Sequence, residues 1–341
     1  MLRDSPVQLT FPAGKVILRI GTFCLRRDPR VGPVVPEIRS GEKAMEKNII
    51  EISGLTRYYG KYMGIEDVSF TVGQGDIFGF VGPNGAGKTT TLRILMALIR
   101  PTAGSARIFD RDCIRQAPEI AGRVGYLPGE IYFYERMKVK DLLQYTARLY
   151  RRDCRARTAE LAERLQLDTG RRAGELSYGA RKKTALIMAL MHSPELLILD
   201  EPISGLDPLV RREVLSILQE ENSRGATIVF ASHELAGVQQ VCSRVGIIRE
   251  GSILAVHPME ELRKAEYKRV ELTTDHLPEE FLSLQAVADF RQSGNRFSFM
   301  YRGDMNSLIR RMSHMEVEDL LVADPDLEEI LMHYYLRGEE V

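Results

Sequence analysis

The stretch that decides the fold covers residues 82–90 and reads Gly82-Pro83-Asn84-Gly85-Ala86-Gly87-Lys88-Thr89-Thr90. It fits the pattern G-x-x-x-x-G-K-[ST], in which a glycine-rich loop turns its backbone N–H groups around a phosphate. Residues 76–81 before it predict a buried strand, and the apolar spacing of residues 91–99 after it predicts a helix. Because a helix N-terminus carries about half a positive charge, this order of strand, loop and helix predicts a nucleotide-binding site.

The last residues of this phosphate loop carry its chemistry. In the pattern, Lys88 reaches the β- and γ-phosphates of the nucleotide, and Thr89 offers its hydroxyl to Mg²⁺. The loop does not decide how the nucleotide is used, since GTPases, kinases and transport ATPases all share it. That decision depends on the rest of the chain.

An apolar run at residues 196–199 ends in two adjacent carboxylates, Asp200 and Glu201. A buried parallel strand delivers such residues to the carboxyl edge of its sheet, where ligands bind. Beside a phosphate loop, one carboxylate can hold Mg²⁺ and the other can take a proton from water. The pair therefore predicts a site that hydrolyses the nucleotide.

Three further residues are ambiguous when each is taken alone. Tyr59 precedes the turn at Gly60, where a surface tyrosine is common. Ser177 precedes a predicted helix and fits an N-cap. His233 follows the predicted strand 227–230, and a histidine there is most often structural or exposed to solvent. His233 gains interest because the phosphate loop and the acid pair end at the same edge of the predicted sheet. The residues themselves do not decide the roles of Tyr59 and Ser177.

The composition limits the class of protein. The chain has 341 residues, enough for a large and a small domain, and 44% of them are apolar. Its 47 basic and 47 acidic residues cancel, which gives no sign of nucleic acid or a polybasic membrane anchor as the main partner. The longest apolar runs fall well short of the roughly 18 residues that a bilayer span requires.

The four cysteines, Cys24, Cys113, Cys154 and Cys242, form no C-x-x-C pair. We interpret them as reduced thiols, which favours the cytosol, where ATP is also present.

Residues 1–44 contain five prolines and no sustained helical or strand period, so we expect a disordered extension. The preferred interpretation is that Met45 is the natural start and the upstream part a gene-start artefact. A presequence or a partner-binding arm remains the alternative. A signal peptide fits poorly, because the apolar residues 16–18 are followed at once by Arg19.

Taken together, these elements resemble the ATP-binding cassette (ABC) family, specifically its nucleotide-binding subunit, over about residues 48–265. The phosphate loop, the Leu-Ser-x-Gly stretch at 176–179, the Asp-Glu strand end, the Ser-Gly-Leu-Asp turn at 204–207 and His233 occur in family order and spacing. The resemblance implies an α/β fold: a P-loop NTPase domain at 45–265 with a β-rich subdomain, a RecA-like core and a helical insert.

The resemblance also implies roles for single residues. Tyr59 would stack on adenine, and Asp200 would bind Mg²⁺ through water together with Thr89. Glu201 would orient or deprotonate the attacking water, and His233 would contact the γ-phosphate. The nucleotide-binding residues implied are Tyr59, Gly82, Pro83, Asn84, Gly85, Ala86, Gly87, Lys88, Thr89, Thr90, Ser177 and Gly179.

In this family two cassettes pair head to tail. The resemblance therefore implies that Ser177 and the N–H of Gly179 close over ATP held by the phosphate loop of a second copy. A complete site then requires a homodimer, and ATP holds its two halves together.

The sequence departs from the family pattern in two places. Residues 176–180 read Leu-Ser-Tyr-Gly-Ala where the family usually has Leu-Ser-Gly-Gly-Gln. Gly129 stands where the family usually places a glutamine that touches Mg²⁺ and senses the membrane partner. Glu130, the next residue, is an alternative oxygen ligand.

The variants at 125–130 and 176–183 look similar to exporters of drugs, antibiotics or polysaccharide, in which the permease is a separate protein. This implies a subunit at the cytoplasmic face of the cell membrane that drives a permease and does not itself bind the cargo. Tyr132, Phe133 and Tyr134 are candidates for contact with the permease, or else they pack the helical insert.

Residues 266–341 predict a small α+β accessory domain, and the order of its elements suits a ferredoxin-like split βαβ. The predicted elements are a strand at 268–272, a helix near 279–284, a hairpin at 287–301, a helix capped by Asp304, a strand at 317–322 and a last helix from Asp324.

Two other functions remain open. One is a soluble ABC-type ATPase that acts on ribosomes or nucleic acid, although this chain has neither a second cassette nor a long coiled coil. The other is a regulator that binds nucleotide without hydrolysis, against which the presence of Glu201 argues. The sequence favours an ATPase that drives transport, with no nucleic-acid partner.

Overall fold

The computed structural model describes residues Gln8–Phe11, Gly14–Ile17, 47–263, 267–275, 286–313 and 315–323. The chain divides into two compact units, Met1–Met45 and Glu46–Val341. In the first unit, strand β1 (Gln8–Phe11) pairs antiparallel with β2 (Gly14–Ile17). Most of the extension expected at 1–44 lies outside the described residues, so that expectation stays a prediction.

The second unit begins with a four-stranded antiparallel sheet. Its strands are β3 (Asn48–Tyr59), β4 (Tyr62–Gly73), β6 (Ala103–Ile108) and β7 (Arg111–Asp112), in the order β4-β3-β6-β7. The β-rich subdomain expected ahead of the phosphate loop is thus present, with β3 and β4 much longer than the sequence pattern indicates.

A six-stranded sheet forms the centre of this unit. Its strands are β5 (Ile77–Val81), β8 (Val124–Leu127), β9 (Leu196–Asp200), β10 (Thr227–Ser232), β11 (Arg244–Arg249) and β12 (Ser252–Pro258), in the order β12-β11-β5-β10-β9-β8. The neighbours from β11 to β8 are parallel, and β12 runs antiparallel to β11. The prediction that Asp200 ends a buried parallel strand is confirmed, whereas the sequence analysis missed β11 and β12.

Helices flank the central sheet and bury its two faces. They are α1 (Lys88–Leu95), α2 (Ala117–Ala121), α3 (Val139–Tyr150), α4 (Arg155–Arg164), α5 (Tyr178–Leu190), α6 (Pro208–Ser223), α7 (Leu235–Val241) and α8 (Met259–Arg263). Because side chains alternate along a strand, Leu197 and Leu199 pack with α3 to α6, while Ile198 packs with α1 and the antiparallel sheet. Helices α3 and α4 form the expected helical insert.

The C-terminal part forms a separate antiparallel sheet. Its elements are β13 (Tyr267–Thr273), β14 (Val287–Ser293), β15 (Arg296–Arg302), α9 (Met305–Met312) and β16 (Asp319–Ala323), with the strand order β14-β15-β13-β16. Asp304 caps α9 by accepting a 2.9 Å hydrogen bond from the N–H of Ser307, as predicted. The helices expected near 279–284 and from Asp324 lie outside the described residues, so the ferredoxin-like arrangement stays a prediction.

In the part of the chain that the structure describes, no helix is long and apolar enough to span a bilayer. Cys113, Cys154 and Cys242 are buried free thiols, as expected, and Cys24 lies outside the described residues.

Candidate nucleotide-binding site

The phosphate loop connects the carboxyl end of β5 to the first residue of α1, Lys88. Gly85 and Gly87 adopt positive φ angles of 81° and 108°, which glycine takes without strain. A Cβ on Gly82 would lie 2.1 Å from the carbonyl oxygen of Ile248, closer than any side chain allows. The glycines of the motif are therefore required by the backbone itself.

Lys88 is almost fully buried beneath the loop. Its Nζ donates hydrogen bonds to the carbonyl oxygens of Gly82 at 2.6 Å and Pro83 at 3.1 Å. The same Nζ lies 3.8 Å from Oε1 of Glu201. Burial lowers the pKa of Lys88, and the negative charges of Glu201 and Asp200 act against that shift. The structure thus joins the loop lysine to the acids at the end of β9.

Asp200 faces the threonine of the loop. The hydroxyl of Thr89 donates a hydrogen bond to Oδ2 of Asp200, and Asp200 is only 1% exposed. Burial raises the pKa of this carboxyl, while the hydrogen bond from Thr89 opposes the shift. Its other oxygen, Oδ1, is buried and has no hydrogen-bond partner among the described residues.

This oxygen donor set fits Mg²⁺. The described residues contain no group of three or more His, Cys, Asp or Glu side chains arranged around a metal position. Mg²⁺ is usually held by one or two carboxylates together with phosphate oxygens and water, and therefore does not require such a group. The unpaired Oδ1 of Asp200, beside the hydroxyl of Thr89, supplies the protein share of that set.

Glu201 turns away from Asp200 and meets His233. Its backbone has a φ of 53°, which is uncommon for a residue other than glycine. Its Oε1 accepts a 2.9 Å hydrogen bond from the N–H of His233 and lies 2.8 Å from Nδ1 of the same residue. The hydroxyl of Ser232 donates a weaker bond of 3.4 Å to Oε2. The fold therefore brings together the two residues expected to be catalytic.

Tyr59 lies beside the first turn of α1. Its hydroxyl oxygen is 3.5 Å from Oγ1 of Thr90, and 42% of the residue is exposed. The guanidinium of Arg57 covers the ring, 4.9 Å from its centroid. Tyr59 therefore lies near the phosphate loop. The sequence pattern alone did not decide whether it would.

Ser177 and Gly179 lie at the start of α5 rather than at the phosphate loop of their own chain. Ser177 is the N-cap, and its Oγ accepts a 3.3 Å hydrogen bond from the N–H of Ala180. A Cβ on Gly179 would lie 3.5 Å from the carbonyl oxygen of Gly205. The ring of Tyr178 covers Gly205, where a Cβ would lie 2.4 Å from its Cε1. The tyrosine that departs from the family pattern thus packs on the turn at 204–207.

Gly129 lies directly over Asp200. A Cβ at this position would be 3.0 Å from Oδ2 of Asp200, so a larger residue would require the Asp200 side chain to shift by a few tenths of an ångström. The carboxylate of Glu130 is exposed and lies 3.7 Å from the guanidinium of Arg93. Glu130 is therefore engaged with α1, and this contact does not favour it as the alternative oxygen ligand.

Of the three aromatic residues that precede α3, two are exposed and one packs inward. Tyr132 and Tyr134 are 82% and 69% exposed. Phe133 is partly buried and packs against the core that contains α3 to α6.

The sequence analysis missed two buried polar groups near the acids. Lys182 on α5 is fully buried, and its Nζ has no hydrogen-bond partner among the described residues. Burial lowers the pKa of Lys182 against the opposing charges of Asp200 and Glu201. Burial and the charge of Asp200 raise the pKa of Tyr126 to about 12. Both residues lie in stretches that the sequence analysis quoted, at 176–183 and 125–130, but only the fold brings α5 and β8 beside β9 and buries these side chains near the acids.

Comparison with known proteins agrees with this geometry. The sequence profile of the ABC transporter family matches residues 65–204. The chain is 37% identical over 230 residues to the bacitracin transport ATP-binding protein BcrA of Bacillus licheniformis, and the alignment covers 65% of this chain and 74% of that protein. This chain belongs to the ABC transporter family. It is an ATP-binding cassette, and its enzymatic class is ATPase.

Two other cassettes show the same relationship. A fluoroquinolones export ATP-binding protein of Mycobacterium tuberculosis is 34% identical over 234 residues, covering 65% of this chain and 74% of that protein. A solved ATP-binding subunit of an ABC transporter superposes with a TM-score of 0.60 at 27% identity, covering 63% of this chain and 92% of that chain. The matched parts are about as long as the ATPase domain expected at 45–265.

Proposed function

We propose that this cassette is the ATP-hydrolysing subunit of an export transporter and drives a separate permease from the cytoplasmic face of the membrane. The observation that carries the proposal is the continuous contact from Lys88 and Thr89 in the phosphate loop to Asp200 and Glu201, and from Glu201 to His233. This series contains a phosphate-binding lysine, oxygen ligands for a cation and a candidate general base, which are the groups that one chain would contribute to phosphoryl transfer to water.

ATP would bind with its phosphates in the loop at residues 82–90. The loop N–H groups and the N-terminus of α1 offer positive potential, and the ammonium of Lys88 exchanges its carbonyl partners for the β- and γ-phosphates. Thr89 and Asp200 would hold Mg²⁺, directly or through water. When bound, this ion neutralises charge on the phosphates as it develops in the transition state.

Glu201 would orient the attacking water and take its proton. The water oxygen forms a bond to the γ-phosphorus, the bond to the β-phosphate oxygen breaks, and ADP leaves with that electron pair. The hydrogen bonds from the N–H of His233 and from Ser232 hold the carboxylate in place for this step. The ring of His233 would then contact the γ-phosphate.

A complete site would require two copies of the chain. Ser177 is exposed and Gly179 is partly exposed, and in the proposal both contact a second molecule rather than the loop of their own chain. Their position at the N-terminus of α5 suits contact with a phosphate. ATP would join the two copies, and hydrolysis would release them.

The permease would meet the exposed segment that precedes the helical insert. Tyr132 and Tyr134 project from the segment before α3, and exposed tyrosines are frequent anchors at protein interfaces. The named cargoes of the two relatives, bacitracin and fluoroquinolones, differ in chemistry. We therefore assign the choice of cargo to the permease.

The test is the identity of the partner. Full-length Glu201→Gln protein, expressed in the native cell with an affinity tag, should retain ATP and co-purify with an integral membrane protein in detergent. Substitution of both Tyr132 and Tyr134 by serine should weaken this association, whereas serine at Tyr145, an exposed tyrosine on α3, serves as the matched control. Recovery with ribosomal particles would instead support the soluble ATPase.

A further inference from the structure

We propose that Arg211 and Glu234 are positioning residues for His233, and that their ion pair sets the rate of ATP hydrolysis. This inference rests on the proposed function, since it concerns the same site. Neither residue belongs to the motifs that identify the cassette. Arg211 lies in the first turn of α6, and Glu234 directly follows the histidine.

The pair is well formed and partly shielded from water. Nη1 of Arg211 lies 2.8 Å from Oε2 of Glu234, and each side chain is about a third exposed. The Nε of Arg211 is buried without a hydrogen-bond partner among the described residues, so the guanidinium is partly withdrawn from solvent. Such a pair restrains geometry more firmly than one on the open surface.

Glu234 is coupled to His233 through a tight turn, formed by residues 232–234 and called here the switch turn. The hydroxyl of Ser232 accepts a 2.9 Å hydrogen bond from the N–H of Glu234 and is 3.0 Å from its carbonyl oxygen. His233 lies between these two residues and places its N–H and Nδ1 on Oε1 of Glu201. A displacement of Glu234 therefore displaces the donors that orient Glu201.

Helix α6 is itself firmly anchored, so Arg211 is presented from a fixed support. Asp207 caps the helix by accepting a 3.0 Å hydrogen bond from the N–H of Val210. Arg164 on α4 binds both oxygens of Glu220, at 2.6 and 2.7 Å. The helix thereby connects the helical insert at one end with the turn at 204–207 and the switch turn at the other.

The test separates positioning from a purely structural contact. In full-length protein, Arg211→Ala should lower kcat by about tenfold, since small displacements of catalytic groups have effects of this size or larger. The Kd for a fluorescent ATP analogue and the thermal midpoint should remain near the wild-type values. The matched control is Arg212→Ala, because Arg212 is the exposed neighbour on the same helix.

Two further variants define the pair. Glu234→Gln should reproduce the loss, and the Arg211→Ala/Glu234→Gln double variant should be no slower than either single one. Arg211→Lys keeps the charge and should recover most of the rate. A loss equal to that of Arg212→Ala, additive losses, or a fall in kcat matched by a fall in folded protein would each overturn the inference.

A second measurement does not depend on turnover. The imidazole NMR signals of His233, assigned by comparison with His233→Gln, should shift in Arg211→Ala and stay unchanged in Arg212→Ala. Unchanged His233 signals in both arginine variants would overturn the inference, even if a loss of activity in Glu201→Gln supports the proposed function. Absence of ATPase activity in the wild-type chain would contradict the proposed function, and the histidine signals would still decide the role of Arg211.

Discussion

The hydroxyl of Thr89 donates a 2.7 Å hydrogen bond to Oδ2 of Asp200, although 111 residues separate them in the chain. The contact joins the helix that follows the phosphate loop to the end of β9. It keeps the hydroxyl and the carboxylate within reach of the same cation, leaving Oδ1 of Asp200 free of other hydrogen bonds among the described residues. The pair of residues proposed to hold Mg²⁺ is therefore already positioned by the protein fold.

Lys88→Ala should abolish useful nucleotide binding. The change removes the ammonium that is held at the loop by Gly82 and Pro83. Loss of a charge-assisted contact of about 3 kcal/mol weakens affinity by about 100-fold. Equilibrium titration with a fluorescent ATP analogue measures the change, and Lys140→Ala, on the surface of α3, is the control. Undiminished affinity would contradict the assignment of the loop.

Glu201→Gln should leave ATP binding intact and slow hydrolysis by roughly 10²–10⁴-fold, the range for loss of a general base. The amide still accepts a hydrogen bond from the N–H of His233 but cannot take a proton. Size-exclusion chromatography with ATP should then show a stable dimer. Glu163→Gln, at an exposed position on α4, is the control. Turnover at the wild-type rate would refute Glu201 as the base.

Ser177→Asp should preserve stability and lose activity. Aspartate caps a helix as well as serine does, so the thermal midpoint should stay within a few degrees of the wild-type value. Its charge would repel the γ-phosphate of ATP on the second copy. Ser177→Ala gives the opposite comparison, since it adds no charge but loses a cap of about 1 kcal/mol. An active aspartate variant would place Ser177 outside the site.

Mixing inactive variants tests the head-to-tail arrangement directly. A dimer of one Lys88→Ala chain and one Ser177→Asp chain would contain one intact site and one doubly damaged site. Random mixing should therefore restore about a quarter of the wild-type rate, because half of the dimers are mixed and each has one good site of two. No recovery after confirmed exchange of subunits would indicate that each chain builds its own site.

Stability should fall in mild acid because of His192. Its ring is buried and stacks on Tyr150 at 3.6 Å, and burial lowers its pKa to about 4 from 6.5. Between pH 6.5 and about pH 4, His192 binds a proton in the unfolded chain but not in the folded chain. The free energy of unfolding therefore declines over this range, by on the order of 3 kcal/mol. Urea unfolding at pH 7.5 and 4.5 should show this decline, and His192→Phe, which keeps a stacked ring, should reduce it. If the free energy of unfolding falls equally between pH 7.5 and 4.5 in the wild type and in His192→Phe, His192 is excluded as the cause.

The sequence predicted those parts of the site that depend on local pattern. Residues 82–90 and the acid pair after 196–199 are recognisable because strand, turn and helix signals surround them. Tyr59 and His233 were ambiguous, because the backbone that brings them to Thr90 and Glu201 belongs to distant strands. The family order of the motifs, rather than any local signal, gave these two residues their expected roles.

Other features could not be predicted, because they arise from packing between distant segments. The contact of the Arg57 guanidinium with the Tyr59 ring and the Arg211–Glu234 ion pair depend on side-chain directions that no spacing encodes. The sequence analysis did not predict β11 and β12, although their central residues are apolar. The packing interpretation of the aromatic segment before α3 holds for Phe133, which packs against the core. Tyr132 and Tyr134 are exposed, and their contact with a permease stays a prediction.

The left-handed backbone conformation of Glu201 lowers the stability of the fold while it positions the side chain for its proposed role in hydrolysis. A residue other than glycine held at a φ of 53° costs on the order of 1–3 kcal/mol, and here the strain aims the base at His233. Glycine accepts that conformation freely and asparagine tolerates it better than most residues. A mutant library enriched only for heat resistance should therefore drift toward those residues at position 201, and so collect well-folded proteins that bind ATP and hydrolyse it slowly.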